Sequence, residues 1–138
     1  MTDADDFNNS VIAEFRKTGG TVGGFVEGMN MILLTHTGAK SGVERTTPLV
    51  CSMDQGKAVV IASMGGAPTS PAWYYNLVAH PTITVEHGTD KYQARAVEVT
   101  GDERRRLFDQ QAAIMPNFKE YEQKTTRTIP VFVLEPIG

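Results

Sequence analysis

Lys40 and Arg45 are two cations in a stretch, residues 37–49, where Gly38 and Gly42 bracket Ser41. A turn of this kind sets backbone N–H groups beside positive charge, a donor set suited to a phosphate. Its plainer reading is a solvated basic hairpin turn. In residues 61–66, Ile61, Ala62, Ser63 and Met64 run into Gly65 and Gly66, and the lack of side chains there would let N–H groups approach the edge of a planar ring. Here the plainer reading is a strand-end turn. Residues 71–76 place the single tryptophan, Trp73, between Ala72 and Tyr74 and close to Asn76, at the start of a short helix. An aromatic in that position is more often core than ligand contact.

Other chemistries lack their residues. No glycine cluster has the i, i+2, i+5 spacing of a dinucleotide fingerprint, and Ala39 stands where a P-loop needs the glycine before its lysine. Ser63 follows Ile61 and Ala62, so it lacks the first glycine of a nucleophile elbow. His36, His80 and His87 have no metal-ligand spacing and read as surface or strand histidines, so no metal is expected. A net charge of −3 gives no reason to expect a nucleic-acid partner, and Arg104, Arg105 and Arg106, preceded by Glu103, read as a solvated helix face. The lone Cys51 cannot pair within the chain and fits a reducing cytoplasm. The acidic opening with Asp3, Asp5 and Asp6 does not read as a secretory leader, and no apolar run reaches the ~20 residues of a membrane span. What chemistry there is must then be carried largely by a bound cofactor.

The elements that would position these segments follow from pattern. The 138 residues suit one domain, with about residues 1–9 as a flexible tail. Asn9 or Ser10 caps a first helix with the stripe Val11, Ile12, Phe15, ended by Gly19 and Gly20. The glycine-rich 19–24 stretch is either a plain loop or a place where backbone passes close to a ligand or another strand. Strands are expected over 31–37, 46–53 and 57–63, the last two joined by a turn at Asp54, Gln55 and Gly56. Ser70 and Pro71 open a helix to Ala79. Strands over 83–86 and 91–99 make another hairpin, with a bulge where the apolar phase changes between Ala96 and Val97. Thr100 and Glu103 suggest a capping box for a helix over 102–113, Pro116 separates it from a helix over 117–124, and a strand over 130–135 closes the chain. Roughly six strands in hairpins with short helices predict an α+β, mainly β, antiparallel barrel.

In this order and spacing the three segments, with the closing run Thr126 to Val131, resemble the deazaflavin-dependent nitroreductase family of the flavin-binding split-barrel class. The resemblance runs from about Val11 to Pro136. It implies a split β-barrel and a cytoplasmic oxidoreductase that transfers a hydride from reduced coenzyme F420, an 8-hydroxy-5-deazaflavin, to an electron-poor acceptor. Quinones, enones or lactones and nitroaromatics are the acceptor classes it implies.

On the same resemblance Lys40 and Arg45 hold the cofactor's phosphate, with Ser41, Thr46, Thr47, Pro48 and Leu49 beside them. The ring lies against Ile61, Ala62, Ser63 and Met64 and contacts Ala72, Trp73 and Tyr74, with Asn76 in support. Met115, Phe118 and Tyr121 line the substrate pocket, and Tyr121 is the one of the three able to donate a proton. The family often has lysine where this chain has Met64, and tyrosines where it has Met115 and Phe118, so the pocket should be more apolar and the case for nitroreduction is weaker. Arg16 and Lys17 would suit an anionic cofactor tail, or are simply exposed. Competing readings are an FMN-dependent enzyme of the same barrel, a non-catalytic deazaflavin carrier and a ligand-free structural barrel. A homodimer is compatible with the sequence, which identifies neither the natural acceptor nor the proton donor.

Overall fold

The computed structural model describes residues 3–20 and 30–137. Its elements are α1 (Asp3–Thr18), β1 (Met31–Thr37), β2 (Glu44–Val50), β3 (Ser52–Asp54), β4 (Lys57–Ile61), α2 (Ala72–Ala79), β5 (Thr82–His87), β6 (Asp90–Val99), α3 (Gly101–Ile114), α4 (Asn117–Gln123) and β7 (Val131–Pro136). The strands form one seven-stranded sheet in the order β2-β1-β5-β6-β7-β4-β3, with every pairing antiparallel. β2 and β3 are the two edges of that sheet, yet only Cys51 separates them in sequence. The sheet must therefore curl to bring its edges towards each other, and the Cys51 N–H still donates to the Asn30 carbonyl at 2.9 Å, one step beyond the Met31–Val50 pair of the β1–β2 register. This is the expected split-barrel architecture, with the strand predicted over 46–53 broken where the chain passes from one edge to the other.

Period-2 alternation divides the strands between an inner core and outer ones. Ile32, Leu34, Ala58, Val60, Phe132 and Leu134 face the barrel interior, where Trp73 and Leu77 of α2 join them. Their neighbours Val59, Ile61 and Val131 pack outward against Leu107, Phe108 and Phe118 of α3 and α4. Met31 and Leu33 pack outward against Val11 and Phe15 of α1. Strands buried on both faces need continuous apolar runs, which is how β1, β4 and β7 read. Burying Phe15, Phe108 and Phe132 almost completely contributes about 2–3 kcal/mol each by apolar transfer.

Several local expectations are corrected. The pairing of β6 with β7 runs unbroken from Ala94 to Val99, so there is no bulge. The apolar phase shifts because Val99 packs on the outer core while Ala94 and Ala96 face the inner one. α1 begins at Asp3, well before Asn9 or Ser10, and its predicted stripe is the face it buries. Residues 21–24 of the glycine-rich stretch lie outside the described residues. Gly20, at φ +114°, passes so close to the β5–β6 turn that a Cβ would sit 2.7 Å from the Gly88 Cα, so a close backbone approach does occur there. Thr100 precedes α3 without a side-chain cap, and Glu103, the other half of the expected box, is paired with Arg106 at 2.6 Å.

Arg105 and Arg106 of the arginine run are exposed, as expected of a solvated face, and the run also ties neighbouring elements together. Arg104 donates to the Ile129 carbonyl, Arg105 pairs with Asp109 and with Glu122 of α4, and Arg106 pairs with Asp54 of β3.

Arg16 reaches from α1 to Glu86 of β5 in a two-pronged contact of 3.1 and 2.8 Å. The Arg16 hydrogen bond holds the Glu86 carboxyl below its usual range, against a smaller opposing effect of burial. A carboxylate depressed in the folded state stabilises the fold above its unfolded pKa and loses that contribution as acid titrates the folded group. Glu86→Gln should therefore lower stability by about 0.5–1 kcal/mol at neutral pH. The difference should shrink towards zero on acidification below about pH 4, as thermal melts at several pH values would read. A gap that persisted in acid would assign Glu86 a role other than this pair.

Candidate functional site

The turn between β1 and β2 is closed by its own backbone: Gly38 donates to the Val43 carbonyl at 2.9 Å, and Gly42 donates to the Gly38 carbonyl at 3.0 Å. Ser41 Oγ accepts from the Val43 N–H at 3.2 Å and lies where a Cβ on residue 38 would have to go. Gly42 adopts φ +70°, so each bracketing glycine has its own reason to be there. Lys40 and Arg45 are exposed, and among the described residues neither has a carboxylate within ion-pair distance.

Beside this turn lies a cavity of about 900 Å³ between the β1–β2 hairpin and α2, lined among others by His36, Lys40, Ser41, Arg45, Thr47, Ala72, Trp73, Tyr75 and Asn76. Antiparallel register sets His36 opposite Arg45, and alternation brings Thr47 to the same face. His36 is buried; its Nε2 lies 2.9 Å from Thr47 Oγ1 and its Nδ1 lies 3.0 Å from Asn76 Nδ2. Asn76 Oδ1 in turn accepts the Ala39 N–H at 2.8 Å, which ties α2 to the turn. Burial first, and then the Arg45 charge, pushes His36 down to about 4, so the ring is neutral at physiological pH.

A second cavity of about 350 Å³ is lined by Leu49, Ile61, Ser63, Met64, Trp73, Met115, Asn117, Phe118 and Tyr121 among others. It is mostly apolar, with the Tyr121 hydroxyl as a polar point. Asn117 Nδ2 donates to that oxygen at 2.7 Å, and Phe118 meets the Tyr121 ring edge-on at 5.4 Å between centroids. Trp73 belongs to both cavity walls, and its ring is anchored against Phe132 in the barrel core at 6.2 Å.

Arg127, in the closing run, holds the segment between β4 and α2. It donates to the carbonyls of Ala62 (3.1 Å), Ser63 (2.8 Å) and Ala67 (2.8 Å), and to Ser70 Oγ at 3.3 Å. Ser70 is thus engaged with Arg127, and α2 starts after Pro71 with no side-chain cap. Because the peptides are trans, pulling the Ala62 and Ser63 carbonyls towards Arg127 turns the N–H groups of Ser63 and Met64 the other way. Met64 takes φ +48°, a left-handed conformation in a non-glycine residue. Gly66 is wedged so close to α4 that a Cβ would sit 2.7 Å from the Tyr121 carbonyl oxygen.

Of the site residues expected from sequence, Lys40, Ser41, Arg45, Thr47, Ala72, Trp73 and Asn76 line the first cavity. Leu49, Ile61, Ser63, Met64, Met115, Phe118 and Tyr121 line the second. Thr46, Pro48, Ala62 and Tyr74 line neither. Thr46 bonds Thr35 across the ladder at 2.9 Å, on the opposite face from Arg45 and Thr47, and Pro48 shares that face with it. Ala62 is fully buried, and Tyr74 packs on Phe132. Sequence reading passed over His36, Asn117 and Arg127. Reflecting the strand register across the 38–43 turn would have set His36 opposite Arg45, whereas the reach of Arg127 to residues more than fifty positions away has no local signature.

Comparison with known proteins identifies the family. The sequence model of the F420H(2)-dependent quinone reductase family matches residues 9–136. An F420H(2)-dependent quinone reductase from Mycobacterium tuberculosis is 36% identical over 126 residues, covering 88% of this chain and 85% of that protein. A solved F420-H2 dependent reductase superposes with a TM-score of 0.71 at 40% identity, covering 77% of this chain and 94% of its own. A solved domain-swapped dimer superposes at 0.74 with 36% identity, covering 96% of this chain and 100% of its own. With a family match that spans nearly its whole length and takes in the lining of both cavities except Asn8, the chain belongs to the F420H(2)-dependent quinone reductase family.

Proposed function

We propose that the two cavities divide the reaction of this F420-dependent reductase, the larger holding the phosphate-bearing part of the cofactor and the smaller receiving the quinone. The observation that carries this reading is Trp73, the shared wall between a cation-lined space and an apolar one. The residues fit the cofactor: Lys40 and Arg45 have no acidic partner among the described residues, and the turn closes through the N–H groups of Gly38, Ala39, Gly42 and Val43, which leaves those of Lys40 and Ser41 for a ligand. Reduced F420, when bound, supplies a hydride from the ring carbon that replaces the central nitrogen of a flavin.

The chain's own tasks are then positioning and proton supply. Lys40, Ser41 and Arg45 bind the phosphate. The N–H groups of Ser63 and Met64, turned away from Arg127, meet the polar edge of the ring. Leu49, Met115 and Phe118 exclude water and favour a flat apolar acceptor. Tyr121 donates the proton that the reduced quinone oxygen needs, since its own oxygen already accepts from Asn117 and its O–H is left to point elsewhere. Tyr121→Phe should lower kcat on the order of 10²-fold with little change in cofactor affinity, as steady-state kinetics with a soluble quinone would measure. An unchanged kcat would assign the proton to water.

A homodimer is part of the proposal, supported by the domain-swapped dimer among the solved relatives. So is a cytoplasmic location. No helix among the described residues is long and apolar enough to cross a membrane, and buried Cys51, pushed up to about 12 by burial, is an unreactive thiol.

The deciding experiment is a fluorescence titration of the purified protein with oxidised F420 beside one with FMN, followed by quinone-dependent oxidation of the reduced cofactor. Saturable binding of F420 with turnover supports the proposal. Binding of FMN alone would overturn it, and tight F420 binding without turnover would make the protein a carrier.

A further inference from the structure

We infer that Asn76 and His36 act as positioning residues that fix the Thr47 hydroxyl as a hydrogen-bond donor into the large cavity, so that the site selects an unprotonated ligand oxygen at that point. This rests on the cofactor-site reading above and assigns a polarity to one part of it.

The Ala39 backbone N–H can only donate, so the Asn76 atom 2.8 Å from it is the amide oxygen. The Asn76 amide nitrogen then faces His36 Nδ1 at 3.0 Å, and that nitrogen can only donate. His36 Nδ1 must therefore accept, and the single proton of a neutral imidazole sits on Nε2. Nε2–H lies 2.9 Å from Thr47 Oγ1, which accepts it. The Thr47 hydroxyl has one proton, and with its oxygen engaged by His36 that proton is available to another acceptor.

Alternative arrangements fail locally. A proton on Nδ1 would set two donors against each other at Asn76, in a place where both side chains are less than one-tenth exposed. Burial and the nearby Arg45 keep His36 from taking up a second proton. Thr47 stands on the same strand face as Arg45 and lines the cavity with Lys40. The donor therefore opens into the most cationic part of the cavity wall, where an anionic phosphate oxygen fits and a ligand hydroxyl offered as donor does not. His36 and Asn76 need not touch the ligand to set this preference.

The tautomer can be read without any ligand, from a long-range proton–nitrogen NMR spectrum of the histidine rings. His36 should show a protonated Nε2 and an unprotonated Nδ1, and the opposite assignment overturns the inference. Binding tests the consequence, using F420 and its phosphate-free fragment 8-hydroxy-5-deazariboflavin. Thr47→Val should weaken F420 binding on the order of tenfold or more while changing the fragment's affinity less than twofold, and Thr47→Ser should stay within twofold of wild type for both. Thr47→Ala gives the same reading if the valine variant does not fold. Undiminished F420 affinity in the folded valine or alanine variant, or equal weakening of both ligands, would sink the proposal. If the wild-type protein failed to bind F420, the cofactor-site reading would fall instead, and the NMR spectrum would still decide the tautomer.

Discussion

Replacing both cations of the β1–β2 turn, Lys40→Ala with Arg45→Ala, should weaken F420 binding by roughly 10²-fold or more while leaving the fold intact. Each charge-assisted hydrogen bond to a phosphate oxygen is worth about 1.5–3 kcal/mol before solvent screening, and both side chains are exposed, so the lower part of the combined range applies. Neither residue is in the hydrophobic core, so thermal stability should shift by less than about 0.5 kcal/mol. Exposure also predicts a salt signature. Arg45→Ala alone should cost more affinity at low ionic strength than at high, because counterions screen exposed charges beyond the Debye length of about 10 Å at 0.1 M. The measurement is a fluorescence titration at two salt concentrations. An affinity unchanged in the double variant would remove this turn from the cofactor site and leave the larger cavity without a ligand-binding role.

Arg127→Ala should be the most damaging single change outside the hydrophobic core, lowering stability by about 2–4 kcal/mol. Arg127 bonds three backbone carbonyls and one hydroxyl around a single segment; the Ser63 carbonyl also accepts the Gly66 N–H, but those of Ala62 and Ala67 would lose their partner at about 1–3 kcal/mol each. The costs do not simply add, because the side chain is partly exposed and water would enter. Arg127→Lys should recover only a part, since one ammonium cannot reproduce the flat fork that spans Ala62, Ser63 and Ala67. The functional effect should be distinct from that of the cation pair. The phosphate turn is untouched, whereas the orientation of the Ser63 and Met64 N–H groups is lost. Affinity for the phosphate-free deazaflavin fragment should therefore fall by about the same factor as affinity for F420. Urea unfolding and the two titrations would test this. A variant of wild-type stability that binds both ligands normally would show that the segment holds its shape without Arg127.

Much of this protein could be read from its sequence because the relevant physics is local. β1 was expected over residues 31–37 and is found there, since an apolar run of β-forming residues between glycine-rich segments has few other solutions. The β3–β4 turn was legible for a similar reason: Gln55 and Gly56 both take positive φ, as a two-residue hairpin turn demands. Lys40, Arg45 and Trp73 could be singled out as types, and the ordered resemblance placed them in a cofactor site.

What stayed hidden depends on partners distant in the chain. Glu103 could cap α3 or pair with Arg106, and Arg106 is itself held by Asp54 across the fold. The apolar shift at the end of β6 signals a second core, not a bulge, and only the docking of α3 and α4 distinguishes the two. By itself the sequence determined most of the strands and the cationic turn, because turn chemistry and alternation act over a few residues, and its ordered segments carried the resemblance to the family. Only the tertiary structure decided that β2 and β3 lie at opposite edges of one curled sheet, that Trp73 lines two cavities, and that His36, Asn76 and Arg127 aim the groups around them, since hydrogen bonds between distant segments take their direction from the packed fold.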